Sequence, residues 1–134
     1  MSRENVELVR AAWDAWAKGD LDAVFATYHP EIEWDTTHFQ DWPETGVYRR
    51  HDGVRRFFED WLATWDSYEV RLEEAIEVGE RVLTLYWQRG VGRGGGVPME
   101  FRGAQVIAFR DGKIAVIDNY SDPSQALAAV GLSE

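Results

Sequence analysis

The chain has 134 residues, 45% of them hydrophobic, and 24 acidic against 14 basic side chains give a formal net charge of -10. That length reads as one domain able to bury a core without staples, and the negative charge would repel a phosphate backbone, so no nucleic-acid partner is expected. The lack of cysteine excludes disulfides, thiolate metal sites and cysteine nucleophiles.

"MSRENVELVRAAW" has no apolar run of signal-peptide length, and no segment approaches the about 18 apolar residues of a membrane span. The reading is a soluble, cytoplasmic protein with no membrane partner. Seven Trp, five Tyr and six Phe are more aromatic bulk than a small core needs, which points to a tight core or an apolar ligand cavity.

Val6, Val9, Trp13 and Trp16 fall on one helical face, which predicts a helix over 3–18 with Ser2 as N-cap and Gly19 just past its end. Asp20 then caps a second helix, "LDAVFATY", which Pro30 ends by forcing His29 out of helical geometry. "EIEWDT" alternates, with Ile32, Trp34 and Thr36 on one face and Glu33 and Asp35 on the other, so it reads as a strand. Residues 37–50, with Pro43 and Gly46 and no sustained period, read as a loop.

From Asp52, the spacing of Val54, Phe57, Phe58, Trp61, Leu62 and Trp65 marks the strongest helix. Strands follow: Tyr68 to Val78, a Gly79-Glu80 turn, "RVLTLYWQRGV", a glycine loop over 92–96, "VPMEFRGAQVIAF", an Asp111-Gly112 turn and "KIAVIDNY". "DPSQALAAVGL" closes the chain as a short helix, with Asp122 as N-cap, Pro123 at its first position, Gln125 completing a capping box and Gly131 as stop. Helices gathered at the front and a mainly antiparallel sheet make an α+β domain.

"WAKGDLDAVFATYHPEIEWDT", "HDGVRRFFEDW" and "FRDGKIAVIDNYSDPSQALAAVGL" together resemble the nuclear transport factor 2-like superfamily, in its SnoaL-like branch, over essentially the whole chain, 1–134. The resemblance implies a cone-shaped α+β fold, in which a curved sheet wraps the N-terminal helices around one apolar pocket, and a homodimer formed through the sheet. It leaves function open, because the superfamily includes ketosteroid isomerase, polyketide cyclases, limonene-type epoxide hydrolases and non-catalytic binders.

Residue-by-residue matching is mostly negative. An ungapped match to ketosteroid isomerase puts its general-base Asp at Thr36, one residue from Asp35, its oxyanion Tyr at Ala12 beside Trp13, and its protonated oxyanion Asp at Gln105. Gln105 can donate a hydrogen bond but cannot act as a buried neutral acid. An Asp–Arg–Asp set of the epoxide-hydrolase type would draw on Asp35, Asp118, Arg89 and Arg102. The general acid/base Asp of the SnoaL cyclases has Asp118 as its candidate by strand, although the ungapped match turns Asn119 to the pocket.

Two further patterns are set aside. "GVGRGG" (90–95) satisfies G-x-G-x-x-G but bridges two strands and opens no helix, so it cannot cradle a pyrophosphate. His29, His38 and His51 have no metal-ligand spacing, so neither a metal nor a cofactor is expected.

The expected pocket holds a small apolar molecule between Trp34, Phe57, Trp61, Phe101 and Ile107, with Thr36, Gln105 and Asn119 as polar contacts and His38 in a loop at its mouth. One reading is a cofactor-free isomerase, cyclase or hydrolase with Asp35 or Asp118 as base. The other is a non-catalytic ligand-binding or dimerisation module.

Overall fold

The computed structural model describes residues 2–39, 46–96 and 98–132. Helices α1 (Ser2–Ala17) and α2 (Leu21–Ala26) lead into strand β1 (Tyr28–His38), short β2 (Val47–Arg49) and helix α3 (Arg50–Ala63). Strands β3 (Trp65–Val78), β4 (Arg81–Gly92), β5 (Pro98–Arg110) and β6 (Lys113–Tyr120) follow, then helix α4 (Pro123–Ala129).

The six strands form one curved sheet in the order β2-β1-β6-β5-β4-β3, with β1 and β6 parallel and every other pair antiparallel. An N-terminal helical layer on the concave face, a curved sheet and a short terminal helix give the α+β cone expected from the sequence.

Local chemistry accounts for most boundaries. The Asp20 carboxylate accepts from the Ala23 N–H at the start of α2. That helix ends two residues earlier than its apolar pattern predicts: Thr27 turns its hydroxyl back onto the Val24 carbonyl, and Tyr28 already belongs to β1. Trp65 likewise continues the apolar spacing of α3 but is the first residue of β3.

β2 lies inside the stretch that reads as a loop. Three residues are too few for alternation to show, and only pairing with Glu33 to Asp35 makes them a strand; the rest of that stretch, 40–45, lies outside the described residues. The Asp111-Gly112 turn has φ of 54° and 76° at its two residues, the left-handed pair that a two-residue hairpin needs. In α4 the Asp122 carboxylate accepts from the Ser124 N–H and hydroxyl, so the capping contact goes to Ser124, not to Gln125.

Two apolar clusters divide along the sheet. The larger fills the cone: Val9 on α1, Phe25 on α2, Phe58 on α3 and Ile32, Ile107 and Ile117 on the strands are all buried. The smaller lies on the convex face, where Ala126 and Val130 of the terminal segment cover Leu83, Ala104, Val106 and Tyr120. On the concave side Gly90 and Gly103 make room for rings. A β-carbon built on Gly90 would lie 2.5 Å from the Trp65 ring, and one on Gly103 would strike the Tyr86 hydroxyl.

Gly90→Ala should therefore cost about 1–3 kcal/mol, the usual penalty for overpacking a filled site. A thermal melt that drops by several degrees checks this, and an unchanged melting temperature would contradict the close approach of Trp65.

Candidate functional site

A cavity of about 70 Å³ opens inside the cone, or about 720 Å³ when the space out to its solvent-open mouth is included. Helix α1 contributes Ala12, Trp13 and Trp16; α3 contributes Phe57, Phe58 and Trp61; the sheet supplies Trp34, Thr36, Gln88, Gln105, Ile107 and Asn119. The rings brace one another edge-on. Trp34 meets Phe58 at 4.7 Å and 86°, and Trp16 meets Tyr68 at 6.1 Å and 81°. The inner chamber is less than half the roughly 150 Å³ that admits benzene, so it takes a small group while any ring stands toward the mouth.

A bulge in β1 decides which side chains enter. Against β6 the register runs Asp35 to Asp118 and then His38 to Tyr120, three steps on β1 for two on β6, so one extra residue is inserted. Before the bulge Trp34 and Thr36 line the cavity; after it the inward position passes to Phe39. His38, expected at the pocket mouth, is turned outward by that change of parity. It is exposed and stacks on the outer-face ring of Tyr120 at 4.4 Å and 8°.

Asp35 lies between the two inward residues Trp34 and Thr36 and outside the lining. Its carboxylate accepts from the Thr37 N–H (2.7 Å) and hydroxyl (2.6 Å), tying down the bulge. Thr36 lines the cavity, but its hydroxyl donates to the Gly46 carbonyl and accepts from the Gly46 N–H, which staples the start of β2 to β1. The Thr36 hydroxyl expected to meet a ligand is thus used to close a loop.

A chain of amides crosses the cavity wall, and its direction is fixed at one end. The Asp35 backbone carbonyl can only accept, so Asn119 presents Nδ2 to it at 3.0 Å. Asn119 Oδ1 must then face Gln105, whose Nε2 donates at 3.0 Å, and Gln105 Oε1 accepts from the Thr84 hydroxyl at 3.3 Å. Gln105 is therefore not a lone amide waiting for a ligand, since both ends of its side chain have protein partners.

Asp118 pairs with Asp35 in register and shares its outward parity, outside the cavity lining. Partial burial raises its carboxyl above the ordinary range, and the charge of Asp35 adds to the effect, while His38 and Arg81 oppose it. Neither Arg proposed to join these carboxylates does so. Arg102 donates to both carboxylate oxygens of Glu73 at 2.9 and 3.1 Å, and Arg89 lies 3.8 Å from Glu69. Asp35, Asp118, Arg89 and Arg102 assemble no Asp–Arg–Asp set.

Phe101 stands directly opposite Gln88 on β5 but is half-buried and outside the lining. Trp34, Phe57, Trp61, Gln105, Ile107 and Asn119 all line the cavity. Among the described residues no group of three or more His, Asp or Glu side chains could hold a metal ion.

The reading missed Gln88, Tyr68 and Tyr86 as lining residues. The parity of Tyr86 and Gln88 is legible in "LTLYWQ", but that strand is apolar on both faces and gives no sign of which one looks inward. Burial pushes the Tyr86 phenol upward, and the Tyr68 phenol is pushed up to about 12 by burial against the opposing effect of indole donors from Trp16 and Trp61.

Residues 9–117 match the family described as the SnoaL-like domain. Among solved structures, an NTF2-like protein of Burkholderia thailandensis E264 is similar at 28% identity and a TM-score of 0.78, covering 93% of this chain and 95% of that one. TerC, co-crystallised with polyporic acid, is similar at 19% identity and a TM-score of 0.77, covering 95% of this chain and 98% of that one.

A proposed polyketide cyclase of Xanthomonas campestris pv. campestris has 22% identity and a TM-score of 0.71, covering 97% of this chain and 98% of its own. The likeness to TerC and to the Xanthomonas protein concerns the fold alone. No curated protein matches this sequence. With the family matched across most of its length and the cone fold shared with these structures, the chain belongs to the SnoaL-like domain family.

Proposed function

We propose that the protein binds a small, mainly apolar molecule in its cone and carries out no acid–base chemistry on it. One observation carries this reading: among the described residues the lining holds aromatic rings, aliphatic chains, a threonine and three amides, with no carboxylate, imidazole or cation. Its only titratable groups are the phenols of Tyr28, Tyr68 and Tyr86, each raised by burial. A general base works best with a pKa near the operating pH, and phenols raised this far stay protonated at neutral pH.

The enzyme reading has the raised Asp118 carboxyl in its favour. Against it stands the position of that group on the outer side of the strand, across the backbone from the cavity.

α-Methylstyrene, which is apolar and the size of one substituted ring, is the first probe. It should shift the amide resonances of lining residues and raise the melting temperature progressively as its concentration exceeds the dissociation constant. Ala12→Leu, which fills the chamber from α1, should weaken that binding by about tenfold or more. Undiminished binding in the filled variant would place the probe elsewhere and overturn the reading.

Asp118→Asn tests the carboxylate separately. Because the folded-state pKa is raised, the folded protein holds this proton more tightly than the unfolded chain, so wild type loses stability as pH rises through the two values. The variant should be more stable than wild type at neutral pH, with the gap closing in acid, and should bind α-methylstyrene unchanged. Loss of binding in Asp118→Asn would contradict its placement outside the cavity.

A further inference from the structure

Gln88 is the polar side chain that neither the sequence reading nor the family match singles out. It is 5% exposed and lines the cavity from β4. Its orientation is set by Tyr68, which lines the cavity beside it. The indoles of Trp16 and Trp61 stand edge-on to the Tyr68 ring, both at 6.1 Å and 81°, and hold it in place. An amide oxygen can only accept, so the Tyr68 hydroxyl donates its proton to Gln88 Oε1.

With Oε1 engaged, the amide nitrogen faces the other way, and its N–H groups find no acceptor among the described residues. Among the described residues the sealed side-chain polar atoms without a partner are the indole nitrogens of Trp34 and Trp65. The Gln88 nitrogen is not among them, so what surface it keeps belongs to the cavity it lines.

Gln105 lies in the same wall. It faces Thr84 in register, four residues before Gln88 on β4 and on the same side of the strand. At about 3.3 Å per residue the two rows are roughly 13 Å apart. Gln105 has its nitrogen on Asn119 and its oxygen on the Thr84 hydroxyl, so the amide that offers a donor to the cavity is that of Gln88, whose oxygen is already occupied by the Tyr68 hydroxyl.

Resting on the binding function proposed above, we infer that Gln88 is a ligand-selecting donor, fixed by Tyr68 between two indoles, and that the cavity prefers an apolar molecule carrying a neutral acceptor oxygen such as a ketone. An ammonium group, or an apolar isostere with no acceptor, leaves the Gln88 amide unpaired when water is displaced, which is where discrimination arises.

Acetophenone and α-methylstyrene differ only in C=O against C=CH2, and together they test this. In wild type acetophenone should bind roughly three- to tenfold more tightly, the range of one neutral hydrogen bond, and should move the Gln88 side-chain amide resonances. Gln88→Met should bring the two affinities together without abolishing either. Tyr68→Phe, which frees the amide to turn over, should reduce the preference while leaving Gln88 in place, an effect that a merely structural Tyr68 would not produce. If both probes bind equally to wild type, or the preference survives in Gln88→Met, the inference is wrong and the binding function stands. If neither probe binds wild type, the binding function itself is wrong.

Discussion

The contact on which the site depends is the hydrogen bond from Asn119 Nδ2 to the backbone carbonyl of Asp35. It joins the only parallel pair among the described strands, at the place where the β1 bulge interrupts the regular ladder. A backbone carbonyl left there without a partner would cost roughly 1–3 kcal/mol. By supplying the donor, Asn119 stabilises the bulge and fixes the direction of the amide chain through Gln105 to Thr84. The bulge in turn sends His38 outward and Phe39 inward, while Asp35 spends its carboxylate on Thr37. One irregularity thus sorts ionisable groups to the outside and rings and amides to the inside.

Much of this was legible in the sequence where a local rule operates. Period-two alternation in "IEWDT" placed Trp34 and Thr36 together and opposed them to Asp35, and the helical spacing of Val6, Val9, Trp13 and Trp16 chose the inner face of α1. What escaped depends on contacts distant in sequence. The three residues of β2 are a strand only because β1 lies beside them. The His38 parity could not be read without knowing the β1–β6 register. Gln88 was hidden because its strand is apolar on both faces, so its role emerges only when Tyr68, twenty positions earlier, is seen to hold its oxygen.

The two faces of the sheet serve different ends. The convex side carries the Arg102–Glu73 and Arg89–Glu69 pairs, the Asp35 and Asp118 carboxylates and the apolar seat of α4. The concave side carries the cavity. A fold shared by cyclases, isomerases, hydrolases and binders sets the cone but not the chemistry; the chemistry follows from what stands at the few inward positions. Here two of the inward positions hold Thr36 and Gln105, and both are bound to protein partners.

The most direct test of a cavity without a working acid or base is the affinity for one neutral ligand, acetophenone, across pH 5 to 8. No described lining group titrates in that interval, so the dissociation constant should stay flat while the protein remains folded. A sigmoidal or bell-shaped dependence would contradict the account, because it would mean that a carboxylate or imidazole reaches the bound molecule.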